Sequence, residues 1–297
     1  MKILLTGADG FVGEHVNKQI ETETLSISGS PVDIRDSKLV DESINQIKPD
    51  AVIHLAAQSF VPRSFENPIE TFDINFIGTF NLLNALKKIG FRGKFLHVGS
   101  GDIYGYVAEN DLPVRESLVL KPRNPYAVSK VAAEALCYQW SQCEDFEIVI
   151  ARSFNHIGPG QSEKFVISSF ARQIVEISMG LREPKIFVGD IDVTRDFTDV
   201  RDIVRAYQLL LQKGLNGEAY NVCSGKEYQI RYLLEQLIRI SGVKAEILTL
   251  ESLMRPVEQK RAFGSAEKIF QDTGWSINYD IEQTLSDVLD DWRVRIL

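Results

Sequence analysis

Tyr126 and Lys130, in "NPYAVSK", stand four residues apart, one turn along a helix face. A phenol with a pKa of about 10 is a poor acid or base near neutrality. An ammonium one turn away favours the phenolate, so this spacing predicts a lowered phenol pKa. Ser100, at the end of the apolar run Phe95–Val98, is placed to hydrogen-bond the same substrate oxygen. Tyr126, Lys130 and Ser100 together make a proton relay beside a carbonyl or an alcohol. The same stretch, "HVGSGDIYG", sets the Asp102 carboxylate two residues past that serine. Nearer the N-terminus, "TGADGFVG" places Gly7, Gly10 and Gly13 between an apolar run and a helix that opens with Phe11 and Val12. Gly7 allows a tight turn, Gly10 lets backbone approach a pyrophosphate, and Gly13 allows close helix–strand packing. Each motif alone has an ordinary alternative, an exposed helix pair or a plain strand–helix turn. Their joint presence favours chemistry on a bound dinucleotide. Asp33 follows the glycines near the offset of a ribose-binding acid, but after the turn Ser28-Gly29-Ser30-Pro31. The choice between NADPH and NADH therefore stays open.

These side chains need a frame. Short apolar runs at 2–7, 24–28, 51–57, 94–99 and 146–151 read as strands. Helical stretches lie between them: one from Phe11, one at 36–47, one long helix at 68–89 and another at 125–142. Apolar strands without polar alternation, separated by helices, predict a parallel sheet buried on both faces. The fold class is α/β, a doubly wound parallel sheet. Past residue 155 the periodicity weakens into loops rich in Gly, Pro and charge. That predicts a smaller, discontinuous C-terminal lobe closing over the sheet. The expected division is 1–152 for the sheet domain, with a returning segment near 196–222, and 153–195 plus 223–297 for the substrate-binding lobe.

Bulk properties narrow the partners. The 297 residues carry a net charge of −8, against the basic stripe that a nucleic-acid surface needs. No apolar run approaches the length of a membrane span. Three scattered cysteines and an N-terminus that meets glycines instead of a cleavage site point to a reducing cytoplasm. Four isolated histidines offer no metal cluster, and no metal is expected.

The chain resembles the extended short-chain dehydrogenase/reductases that act on nucleotide sugars, over nearly its whole length. "TGADGFVG" looks like their cofactor turn in a Rossmann fold. Asp33-Ile34 looks like their adenine contact, and "HLAA", with Leu55, Ala56 and Ala57, like their third-strand cofactor contact. Asn75 in "NFIGT" matches a structural asparagine. Ser100, Tyr126 and Lys130 fall on the family's catalytic triad, and "RSFNHIGPGQ" matches an Arg-x-x-Asn-x-x-Gly-Pro element in which Asn155 touches the substrate diphosphate. "GDIDVTRDFTDVRD" supplies Arg195, and "RPVEQKRAFGS" supplies Arg255 and Glu258. These resemble the branch that handles GDP-mannose derivatives, where forked guanidiniums suit phosphate and ribose oxygens.

The resemblance implies NADPH- or NADH-dependent reduction of the 4-keto group of GDP-4-dehydro-6-deoxy-D-mannose to GDP-D-rhamnose. It also implies a homodimer through helices 68–89 and 125–142. Dehydratases of the family carry a glutamate where this chain has Asp102, which is one methylene shorter, and Gly101 supplies no second acid. A carboxylate misplaced by about 1 Å loses on the order of 100-fold in rate. Asp102 is thus expected to orient a substrate hydroxyl or to bond backbone. The rival readings are a GDP-mannose 4,6-dehydratase, a nucleotide-sugar 4-epimerase and a non-catalytic cofactor-sensing protein.

Overall fold

The computed structural model describes residues 1–254 and 259–297. Its centre is a six-stranded sheet made of β1 (Ile3–Thr6), β2 (Glu23–Thr24), β3 (Ala51–His54), β4 (Lys94–Val98), β5 (Glu147–Ser153) and β6 (Ala219–Val222). The strands run parallel in the order β6-β5-β4-β3-β1-β2. Chain order reverses around β1, so a crevice opens at the carboxyl ends of β1 and β3.

Alternate side chains of each strand enter opposite cores, which is why the strands read as apolar throughout. Ile3, Leu5, Ile53, Leu96 and Val149 pack with Ile203, Tyr207 and Leu210 of the helix Val200–Lys213. Leu4, Val52, Phe95 and Ile148 pack on the other side with the helices Ser37–Ile47, Gly78–Lys88 and Pro125–Cys143. The expected doubly wound parallel sheet is therefore present. Ile269 and Trp275 also join the first of these cores, so the chain comes back to the sheet late in the sequence. A further apolar core unites the helices Val166–Ser178, Ile230–Ser241 and Ile281–Ile296 with the strand Lys185–Val188.

Three elements depart from expectation. The strand expected at 24–28 ends at Thr24, and a hairpin follows, Ser26–Ile27 against Ser30–Pro31. Ser28 and Gly29 turn it at φ +50° and +81°. The strand expected to reach 57 stops at His54, because the Ala56 amide leaves the ladder to bond Thr6 Oγ1 at 3.1 Å. The long helix at 68–89 contains a wide π-turn at Asp73–Ile77. There Asn75 turns inward, its amide nitrogen bonding Gln58 O at 3.1 Å and Ser129 Oγ at 2.9 Å.

Candidate active site

The glycine turn sits at the carboxyl end of β1. Gly7 has φ +73°, and a Cβ there would lie 2.8 Å from the Ala56 amide nitrogen. The chain at Leu55–Ala56 therefore crosses directly over the turn. A Cβ on Gly13 would lie 2.3 Å from Gly7 O, so this glycine seats the helix Phe11–Asn17 against its own entry turn. Gly7 and Gly10 face solvent, and no side chain caps this helix at Gly10. The Gly10 amide bonds Gly7 O at 3.1 Å, so the donors a pyrophosphate would meet are the first-turn amides that follow it. Phe11 stacks on His156 at 6.0 Å between ring centroids, and Val12 packs against the sheet core. Ile34 is buried against Gly78, while Asp33 is exposed and held by Arg35, which bonds both carboxylate oxygens. That guanidinium keeps the Asp33 carboxyl below its usual range. Arg35 was not singled out in the sequence, although its i+2 spacing from Asp33 was there to be read.

Ser100, Asp102 and Tyr126 meet at the end of β4. Ser100 Oγ accepts from the Asp102 amide at 3.2 Å and shares a hydrogen bond with the Tyr126 hydroxyl. Asp102 stands in a short 3-10 turn, Gly101–Tyr104, at the exposed rim. Tyr126 and Lys130 are both buried in the helix Pro125–Cys143, which Asn124 caps by accepting from the Ala127 amide at 2.7 Å. Lys130 Nζ donates to Val98 O at 2.8 Å. The expected lowering of the phenol pKa by Lys130 is not what this geometry gives. Burial pushes Tyr126 above its ordinary value, and the Asp102 charge adds to the rise against the opposing Ser100 bond. Burial also brings Lys130 down to about 8. The sequence spacing shows the two side chains on one helix face but not the burial that sets their pKa values.

A buried polar layer supports this cluster. Thr6 Oγ1 contacts His54 Nδ1 at 2.7 Å, and His54 Nε2 contacts Thr79 Oγ1 at 2.9 Å. Arg152 makes a two-pronged pair with Glu134, at 2.6 and 3.1 Å, and bonds the Tyr104 hydroxyl at 2.7 Å. Glu134 lies one helical turn beyond Lys130, so the pair pins the helix that carries Tyr126 and Lys130 to β5. The i+4 continuation Tyr126, Lys130, Glu134 was a signal for it.

The expected substrate residues come from the loops beyond β5. Asn155 is exposed on a short strand, Asn155–Ile157, and its amide reaches Asp196 O at 3.3 Å. Arg195 bonds the carbonyls of Thr194 and Gln259, each at 2.7 Å. Asp196 ties this region together, accepting from the amides of Ser224, Gly225 and Gly264. Arg255 and Glu258 lie outside the described residues. Among the described residues no acidic, His or Cys cluster is arranged to hold a metal, and no helix is long and apolar enough to cross a membrane.

Known proteins share this sequence pattern and fold. The profile of the GDP-mannose 4,6 dehydratase family matches residues 14–288. GDP-6-deoxy-D-mannose reductase from Pseudomonas aeruginosa is 47% identical over 298 residues, covering 99% of this chain and 98% of that protein. GDP-6-deoxy-D-talose 4-dehydrogenase from Aggregatibacter actinomycetemcomitans is 30% identical over 280 residues, 92% of each chain. A solved structure of RMD from Pseudomonas aeruginosa complexed with NADPH superposes with a TM-score of 0.93 at 46% identity, covering 99% of both chains. The chain belongs to the GDP-mannose 4,6 dehydratase family, among the extended short-chain dehydrogenase/reductases that act on nucleotide sugars, and is a full-length homologue of GDP-6-deoxy-D-mannose reductase.

Proposed function

We propose that this protein reduces the 4-keto group of GDP-4-dehydro-6-deoxy-D-mannose, using NADPH or NADH, to give GDP-D-rhamnose. The observation that carries the reading is the 47% identity to a reductase along the full chain. The first-turn amides after Gly10 and the crossing of Leu55–Ala56 over Gly7 fit a dinucleotide, with Ala57 beside that crossing and Asp33 and Ile34 at the adenine end. A bound nicotinamide supplies the hydride. Tyr126, kept protonated by burial, gives its proton to the carbonyl oxygen, and Ser100 holds both the phenol and that oxygen in line. Lys130 stabilises the phenolate that forms. Asp102 raises the phenol pKa, which keeps the proton in place before transfer but makes the phenol a weaker acid, so the transfer depends on the Lys130 charge. Asn155, Arg195, Arg255 and Glu258 are assigned to the nucleotide sugar.

Dehydration needs a base that reaches the sugar carbon beside the ketone. Asp102 is short for it, and a Cβ at Gly101 would press on the Phe154 ring at 3.0 Å. Room for a second acid is therefore lacking unless Phe154 moves. The 30% identity to a 6-deoxy-talose dehydrogenase favours one second reading, the same reduction with hydride delivered to the opposite sugar face. Proton NMR of the product separates the two. An axial H4 gives large couplings to H3 and H5, and an equatorial one gives small couplings. A protein that purifies with one tightly held NAD per chain and no net reduction would instead be an epimerase or a dehydratase.

We also infer a homodimer. Phe65, Ile69 and Phe80 lie exposed along 61–88, and Val128 and Tyr138 along Pro125–Cys143. Sedimentation at micromolar concentration tests it. Cys137, Cys143 and Cys223 are all free, which supports a cytoplasmic setting.

A further inference from the structure

Beneath Lys130 lie two buried imidazoles, and they are partnered very differently. The hydroxyl of Thr79 donates to Asn75 O at 2.7 Å, so it must accept from His54 Nε2–H. Neutral His54 then accepts at Nδ1 from the Thr6 hydroxyl, which accepts in turn from the Ala56 amide. Every polar atom of that chain is satisfied. His97 is 1% exposed, and neither of its ring nitrogens has a hydrogen-bond partner among the described residues. An apolar ring would fill the same space without stranding two polar atoms.

The position of His97 points to what uses it. It pairs across the sheet with His54, the rings 5.8 Å apart. By strand alternation it shares the face of Phe95, which packs toward the helix Pro125–Cys143. The next residue, Val98, supplies the carbonyl that holds Lys130 Nζ. That bond takes one of the three donors of the ammonium. The groups around Lys130 are His54 on β3, His97 on β4, and Tyr126 and Cys137 on its own helix. Farther off, Glu134 acts on Cys137, and Asp102 acts on Tyr126. Burial keeps His54, His97, Cys137 and Tyr126 neutral, which leaves Lys130 as the charge in this pocket.

We propose that His97 is a positioning residue for Lys130, its neutral imidazole turning a ring-nitrogen lone pair toward the buried ammonium and so holding Lys130 protonated and in place. This rests on the assignment of Lys130 to the proposed reduction. A neutral acceptor suits the task. It offsets part of the desolvation that brings Lys130 down to about 8, and it adds no counter-charge that would lock the side chain away from the site.

The first test uses unaltered protein. In histidine ring NMR, His97 stays neutral because burial holds its pKa well below the ordinary value, and its resonances step as Lys130 titrates near pH 8. The step is absent in Lys130→Met. The second test compares pH profiles of turnover. In His97→Leu the alkaline limb moves down by about one pH unit, roughly a fivefold loss at pH 8 with less than about twofold at pH 6.5. His97→Gln, which keeps a neutral acceptor, restores most of the limb. No step in the wild-type resonances overturns the proposal. So does a His97→Leu profile reduced equally at every pH, which marks a packing role alone. Full turnover in Lys130→Met would instead sink the assignment of Lys130, and the NMR step would still report whether His97 senses the Lys130 charge.

Discussion

Replacing Tyr126 by phenylalanine removes one oxygen from the centre of the proposed relay. The residue is 8% exposed, and its hydroxyl bonds Ser100, so no bulk water stands ready to replace the donor. A positioned general acid contributes about 100- to 10,000-fold, equivalent to roughly 3–5 kcal/mol of barrier. Tyr126→Phe should therefore lower turnover of the keto-sugar by at least about 100-fold. The fold should hardly notice. The lost hydrogen bond contributes about 1 kcal/mol net, and relief of a buried hydroxyl offsets part of it. In a chain of this size about 1 kcal/mol shifts the melting temperature by only ~2–4 °C. The glycine turn and Lys130 are untouched, so cofactor affinity should stay within about threefold of wild type. Loss of reduced-nicotinamide absorbance follows turnover, protein fluorescence follows cofactor binding, and a thermal melt reports the fold. A variant that retains more than about a tenth of wild-type turnover would show that the proton comes from elsewhere.

Arg195→Ala should weaken binding of GDP alone by about 2 kcal/mol, roughly thirtyfold, because its guanidinium is already aimed by the carbonyls of Thr194 and Gln259. Cofactor affinity should not change, and calorimetric titration separates the two ligands. Unaltered GDP affinity would return Arg195 to the ordinary loop surface. Glu134→Gln should cost about 3–5 kcal/mol of stability, because it leaves Arg152, 7% exposed, with an uncompensated charge. Urea unfolding measures this, and a loss under about 1 kcal/mol would mean that Tyr104 and the Glu116 carbonyl suffice for Arg152.

The sheet was legible because burial on both faces leaves a plain mark, namely apolar strands with no polar alternation. The turn at Gly7, Gly10 and Gly13 was legible because backbone closeness excludes a Cβ at Gly7 and Gly13, which leaves a glycine spacing in the sequence. Other features turn on contacts distant in sequence. Nothing local announces that Asn75 would widen the helix to reach Gln58 and Ser129, or that Trp275 would return to the sheet. The strand expected at 24–28 runs too far because Ser26 and Ile27 have strand-like character, while Ser28 and Gly29 turn them into a hairpin with Ser30–Pro31. Tyr126 was expected to be acidified because its spacing from Lys130 is visible in the sequence. The burial that raises it depends on the whole tertiary packing.

Two parallel assays bear most directly on the reductase reading. One gives the protein GDP-4-dehydro-6-deoxy-D-mannose with reduced nicotinamide cofactor. The other gives it GDP-mannose with oxidised cofactor and watches for release of the keto-sugar. Tyr126 held protonated by burial and a crowded Gly101 predict rapid loss of reduced cofactor in the first assay and no more than traces of keto-sugar in the second. Efficient release of keto-sugar from GDP-mannose would contradict the account and make Asp102 a competent base.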